Sequence, residues 1–576
     1  MKSSKRKDSR KHPAPAVAPT APARPAVWMW GAALFASLVL AFVVYGPALS
    51  GPFVLDDLYL PFFKPNFPNV LWAWIRGLRP VLMFSYWLNF QFSGQQPYSY
   101  HVLNVLLHFL DSVVIFFIVR RVLQWAKSDE KLWNLLSAFA AGVFLLHPLQ
   151  TESVAYIASR SELLSVLFFN LAFLVFLYRR SESISFPAAL GVLVLYAGAA
   201  SSKEHTVVLP ALLLLTDYFW NPGFEARGIV RNWKLYAPVA VGAALLTRPV
   251  IVLLRHSPTA GFSVKGLSWQ DYFATQCRVI WDYIRLFFLP FGQNADPDIR
   301  ISHGLLDPFA IAGFIALAGI SIAAWYFRRR YTVAAFGWFT FLLLLAPTSS
   351  FVPIADVYAE RRTYLPFLGL LLIAVELLRR WKTGRGMLIS CLAGILLIEG
   401  ALTYQRSELW GNPIDLWQDS ASKSPRKVRP NFQLAKAYFD AGQFAEAASQ
   451  YERTARITPP DYSLLVDWAL ALQGMRQYNG AIEKLQMAAA QHPSAHIYAE
   501  LAKEYGLAGN FDQALVYLDK AEKANPGYAM TYVYRGMTYA SQGDNARAEE
   551  QYRHALALDP NNPIAPGLLQ SLKRGR

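Results

Sequence analysis

Two adjacent carboxylates, Asp56 and Asp57, stand just beyond the first long apolar run of the chain. Acids held side by side so near hydrocarbon feel desolvation and each other, so one of them can carry a raised pKa and take a proton, as a general base must. A solvated loop or a helix N-cap explains the same pair. Further along, HPLQTESVAYIASRSELL supplies His147, Glu152, Arg160 and Glu162; SSKEHT supplies Lys203, Glu204 and His205; AERRTYLP supplies Glu360, Arg361 and Arg362. A paired arginine suits phosphate, which guanidinium binds through two parallel hydrogen bonds, and a cation beside a helix start adds to the anion site made by free N–H groups. Headgroup contact and snorkelling are the plainer uses of such cations. Ser159 with Glu162, and Ser201 with Glu204, fit capping boxes, which would make both glutamates structural. His147, followed by Pro148, ends an apolar run.

Positioning these groups falls to apolar helices. Of 576 residues, 54% are hydrophobic and only 16% charged, which excludes a soluble globular enzyme and a largely disordered chain. The 17 Trp and 29 Tyr suit the zone where a membrane meets water. Residues 1–26 are basic and then Ala/Pro-rich and read as a disordered tail. Runs of spanning or near-spanning length follow at about 27–49, 101–120, 131–147, 162–178, 187–201, 204–220, 235–255, 307–327, 332–347, 363–380 and 386–404, about eleven in all. The formal charge of +16 does not mark nucleic acid as a partner, because Lys and Arg cluster between apolar runs. Every second loop carries such a cluster (Arg120, Arg121, Lys127 and Lys131; Arg179 and Arg180; Arg227, Arg231 and Lys234; Arg328 to Arg330; Arg379, Arg380, Lys382 and Arg385). Those loops and the N terminus therefore read as cytoplasmic, and all the candidate segments face the other side. Asp111, inside the second run, is the residue that points to transport instead. Cys277 and Cys391 lie far apart, so neither a disulfide framework nor a metal site is expected.

From about Val428 the chain is polar and repetitive. Pro459, Pro493, Pro526 and Pro560 set a period of about 34 residues, that of tetratricopeptide repeats. Small residues (Ala435, Ala469, Ala502, Gly536), a large one (Tyr438, Leu472, Tyr505, Tyr539), a turn glycine (Gly442, Gly474, Gly509, Gly543) and an alanine (Ala447, Ala481, Ala514, Ala548) recur in register. Four helix pairs suffice for a stacked core, with a capping segment after Pro563. The expected architecture is all-α: a membrane helical bundle at 27–404, a connector at 405–427 and a repeat solenoid at 428–576.

The blocks FVLDDLYL, HPLQTESVAYIASRSELLSVLF, KEHTVVLPALLLLTD and AERRTYLPFLGLLL, with YQRSELWGNPIDLWQDSASKSP leading into the repeats, resemble the transmembrane and tetratricopeptide-repeat family of O-mannosyltransferases. That resemblance implies a GT-C type membrane glycosyltransferase moving a sugar, mannose in eukaryotic members, from a polyprenyl-phosphate carrier to hydroxyls of proteins outside the cytoplasm, with no metal or other cofactor. It implies Asp56 as the catalytic carboxylate, with Asp57 beside it. Arg361, Arg362, Lys203, Arg160 and Arg79, with Glu152, His147, Glu360 and His205, are the candidates for holding the donor phosphate and substrate. The short repeat array and the lack of Asn-x-Ser/Thr acceptors suggest a bacterial relative in the inner membrane, with the repeats binding the protein acceptor. A repeat scaffold without activity, and a glycan ligase or transporter, are the competing readings.

Overall fold

The computed structural model describes residues 27–64, 67–179 and 181–574. The basic tail and Arg180 lie outside them. Among the described residues the regular structure is helical, the only β-pairing being an isolated bridge between Ala260 and Ile354. Helices open on proline or on a capping side chain: Pro80, Pro97, Pro308 and Pro413 take first-turn positions whose N–H would be orphaned, and Ser268, Asp307 and Asn412 accept the first free N–H groups.

Each of the eleven apolar runs contains helix. Among the described residues, four helices can cross a bilayer alone by length and composition: Pro97–Trp125, Ile157–Leu177, Pro308–Tyr326 and Arg385–Gly411. The number rises to six if two bent pairs count as one span each, Trp28–Val44 with Gly46–Tyr59 at 57° and Glu130–Leu146 with Pro148–Ala155 at 49°. Phe186–Ala200 and Thr332–Leu345 are apolar but shorter. Turns bound two of the expected runs, Pro148–Gln150 following the run at 131–147 and Glu204–Val208 opening the run at 204–220. A further helix, Trp269–Phe288, was hidden by its charges, Asp271, Arg278, Asp282 and Arg285, while Tyr272, Cys277, Ile280 and Tyr283 are buried.

The bundle has two chemically different ends. At one end the loop cations meet each other's segments: Arg121 donates to the Leu177 carbonyl at 3.0 Å, Arg179 pairs with Asp217 at 2.7 Å, and the Arg380 guanidinium reaches the Arg330 carbonyl. At the other end gather the acid-bearing turns. There the helix Arg385–Gly411 closes on the turn Gly46–Ser50 so tightly that a Cβ on Gly411 would lie 2.5 Å from the Pro47 carbonyl.

The helix Pro413–Lys423 carries the chain into four helix pairs, Val428–Asp440 with Phe444–Ile457, Tyr462–Gly474 with Tyr478–Gln491, Ala495–Leu507 with Phe511–Ala524, and Ala529–Ser541 with Asn545–Leu558, followed by Ala565–Arg574. Ala447, Ala481, Ala514 and Ala548 are fully buried where paired helices touch. Gly442, Gly509 and Gly543 turn with positive φ as expected, but in the second repeat Arg476 takes that conformation (φ 60). Gly474 serves instead to admit the Phe444 ring, which a Cβ would approach to 2.5 Å.

Candidate functional site

Asp56 and Asp57 lie on a 3-10 turn, Leu55–Tyr59, and are not equivalent. Asp57 is fully buried; its Oδ2 accepts the Val54 N–H at 3.0 Å and its Oδ1 the Ala158 N–H at 2.6 Å. With both oxygens engaged and the side chain buried, it ties the turn to the neighbouring segment. Asp56 is exposed, and no donor among the described residues binds its carboxylate; only its backbone N–H is engaged, donating to the Tyr156 hydroxyl at 2.9 Å. The preceding Leu55 takes φ 50, a left-handed conformation that a residue other than glycine adopts at a cost.

Tyr156 links the acid to the cations. Its ring stacks on Trp410 with centroids 6.0 Å apart, and the Arg361 guanidinium sits 5.8 Å from the ring centroid. Arg361 in turn is gripped by Glu152, which accepts its backbone N–H at 3.0 Å and pairs with Nη1. Burial acts to lower the Arg361 pKa, and Glu152 outweighs it, so the group stays charged. Its Nε and Nη2 make no hydrogen bond within the described residues.

Two more cations stand nearby. Lys203 pairs with Glu162, and His205 lies 3.4 Å from the same carboxylate. Burial pulls the Lys203 pKa down against the pull of Glu162, and pushes that of His205 to about 4, leaving the imidazole neutral. Arg79 holds Glu204 through two bonds, at 2.8 and 2.7 Å, with both side chains half-exposed. These pairings replace both expected capping boxes. The Ser159 side chain caps nothing, and each glutamate has met a cation from a distant segment, a stronger partner than a backbone N–H.

Three expected ligands are committed elsewhere. Arg160 is fully buried, donating to Asn104 at 3.0 Å, Asn89 at 2.9 Å and the Ser85 and Tyr100 carbonyls, with its guanidinium 4.5 Å from the centroid of the Tyr86 ring. Arg362 donates to Tyr272 and to the carbonyls of Thr348, Asp356 and Val357, pinning the loop before it. His147 is buried: its Nδ1 accepts the Leu149 N–H at 3.1 Å, its Nε2 meets the Phe287 carbonyl at 3.0 Å, and its ring stacks on Phe287. Asp111 accepts from the Tyr364 hydroxyl at 3.0 Å, which also bonds His108 at 2.8 Å, so it braces the segment after Arg361.

Glu360 belongs to a junction that the sequence did not reveal. It is buried, accepts the Asn294 N–H at 2.8 Å and the Gln293 amide at 3.2 Å, and faces Arg406 at 3.8 Å. Burial raises its pKa to about 7. Asn294 binds Ser420 and Ser424 of the connector at 2.6 and 2.8 Å, while Asp296 pairs with Lys427 at 2.6 Å and with Arg429 at 2.6 and 2.5 Å. Trp410, Trp417, Leu434 and Ala437 share one apolar cluster with Tyr156. The first repeat is thereby built onto the site. Among the described residues, no three His, Cys, Asp or Glu side chains gather as metal ligands.

Residues 500–563 match the family model described as Tetratricopeptide repeat. The human Protein O-mannosyl-transferase TMTC3 is 21% identical over 541 residues, covering 84% of this chain and 58% of that protein. The Caenorhabditis elegans Protein O-mannosyl-transferase F38B6.6 is 23% identical over 465 residues, covering 73% of this chain and 62% of its own length. The crystal structure of MamA aligns to 26% of this chain and 86% of its own, with 22% identity and a TM-score of 0.24. The chain thus spans less than two thirds of the curated relatives it matches, and is similar to them over most of its own length, as its motifs imply.

Proposed function

We propose that the chain transfers a sugar, mannose by similarity to its relatives, from a polyprenyl-phosphate carrier to Ser or Thr hydroxyls of proteins on the non-cytoplasmic face of a membrane. The observation that carries this reading is the unpartnered, exposed carboxylate of Asp56, coupled through Tyr156 to an arginine with free donors. The acceptor hydroxyl attacks the anomeric carbon as Asp56 takes its proton; the bond from that carbon to the phosphate oxygen breaks, and configuration inverts. The departing lipid phosphate is already a stable anion and needs cationic stabilisation more than a proton. Arg361 offers its remaining edge, with Lys203 and Arg79 beside it.

An apolar groove of about 390 Å³ between the helices Pro80–Ser93, Pro97–Trp125 and Arg160–Leu177 suits the carrier chain. It starts at Val81, two residues from Arg79, and runs along Phe84, Leu88, Leu103 and Phe168. The repeats hold the acceptor polypeptide, since a stacked array presents an extended groove. Purified protein incubated with polyprenyl-phosphate mannose and candidate acceptor proteins, followed by intact-mass measurement of the acceptors, tests the assignment. A gain of one hexose that vanishes in Asp56→Asn supports it; no gain with any acceptor, alongside intact donor binding, points to a scaffold.

A further inference from the structure

From the end of the bundle opposite the carboxylates, a groove of about 580 Å³ runs between the helix Val27–Val44 and the helices Pro97–Trp125 and Glu130–Leu146. Its walls are apolar: Trp30, Ala33 and Leu34 on one side, Phe116, Phe117 and Ala138 on the others. Trp30 meets Phe116 edge-on, with centroids 5.8 Å apart. At its rim stands Arg120, whose Nε donates to Asn134 at 2.9 Å. No carboxylate among the described residues comes within ion-pair reach of Arg120, including Glu130 one turn below Asn134 on the same helix. A cation without a counter-ion, at the mouth of an apolar slot between spanning helices, is the chemistry of a site for one anionic lipid.

We propose that this groove holds a single anionic phospholipid of the leaflet opposite the candidate active site, its phosphodiester on Arg120 and an acyl chain along Trp30, Ala33 and Ala138. The site owes nothing to the transferase reading: it is built from other residues at the other face. A carrier such as polyprenyl phosphate shares the headgroup charge, but the pairing of a phosphate with a lone rim arginine and a slot open to the bilayer fits the abundant lipid of the leaflet.

Trp30 reports on the site. Full-length protein is placed in phosphatidylcholine vesicles containing a minor fraction of either dibrominated phosphatidylglycerol or dibrominated phosphatidylcholine, and the quenching due to Trp30 is taken as the difference from Trp30→Phe. The expected result is an apparent preference for the anionic lipid of about fivefold, the worth of one cation at such a surface. That preference falls to unity in Arg120→Gln and persists in Arg120→Lys, while Ala138→Leu, which narrows the slot, weakens quenching by both lipids. Equal quenching by the two lipids in the unaltered protein, or a preference that survives Arg120→Gln, would overturn the proposal and leave annular lipid only. Relief of quenching by unbrominated polyprenyl phosphate at a fraction where unbrominated phosphatidylglycerol has no effect would assign the groove to the carrier instead.

Discussion

The Asp56 backbone N–H donates to the Tyr156 hydroxyl at 2.9 Å across 100 residues of chain. This single bond leaves the Asp56 carboxylate free while fixing the backbone beneath it, and it hands the neighbouring face of the same ring to Arg361.

The two acids should therefore separate in a mutational test. Asp56→Asn keeps the shape and removes the base, and is expected to cost about 10²- to 10⁴-fold in transfer rate with donor binding and thermal stability retained. Asp57→Ala leaves two buried N–H groups without acceptors and should instead lower stability by about 1–3 kcal/mol per orphaned group. Thermal unfolding in detergent with a parallel transfer assay reads both; the reverse pattern would exchange the roles.

Arg361 and Arg362 should likewise part company. Removing the side chain with free donors, in Arg361→Ala, is expected to weaken donor binding by about 1.5–3 kcal/mol, the worth of a hydrogen bond to a charged group. Arg362→Ala should leave donor affinity alone and loosen the loop whose carbonyls it binds. Equal losses of donor affinity in the two variants, measured by titration with the lipid donor, would contradict this division.

Stability should fall with rising pH through the range governed by Glu360. Its carboxyl, with an ordinary value of 4.5, is raised to about 7 by burial, so between those values the folded chain keeps a proton that the unfolded chain releases. The contribution is complete below about 4.5 and is lost as the pH climbs through 7. Glu360→Gln keeps an acceptor for the Asn294 N–H and should flatten the melting temperature against pH over that interval. An unchanged slope would show that Glu360 is already ionised.

Truncation should be tolerated at one boundary and not at another. Ending the chain before Asp461 spares the first repeat pair and should preserve donor binding while reducing modification of the protein acceptor. Ending it before Val428 strips Leu434 and Ala437 from the cluster that contains Tyr156, and removes Arg429 from Asp296. That shorter chain should lose thermal stability and donor binding together, a sharper outcome than a freely tethered repeat domain would give.

Residue types and local spacing carried most of the helices, the repeat period and the grouping of the acid- and cation-bearing turns at one end, but not the charged helix Trp269–Phe288. They did not carry the division of labour among similar residues. Arg160 and Arg361 are both arginines in outer-end segments, yet Arg160 is absorbed by Asn89 and Asn104, 71 and 56 residues earlier, while Arg361 meets Glu152, 209 residues earlier, through one edge alone. The capping boxes failed for the same reason: Glu162 found Lys203, 41 residues away, and local pattern says nothing of such partners. Tyr156 and Trp410 left no signal beyond being aromatic, and the Asn294 and Asp296 junction sits in a loop with no motif.

Because Asp296 clamps Arg429 and Lys427 while Asn294 holds Ser420 and Ser424, the solenoid is a fixed jig rather than a tethered arm. A flexible tether presents a bound chain at a spread of distances and raises the concentration of all its hydroxyls near the base. A rigid mount selects one distance. A polypeptide seated in the repeats would offer Asp56 only those residues lying a set length of extended chain from the seat, so the spacing of modified sites from the bound segment would act as a built-in ruler.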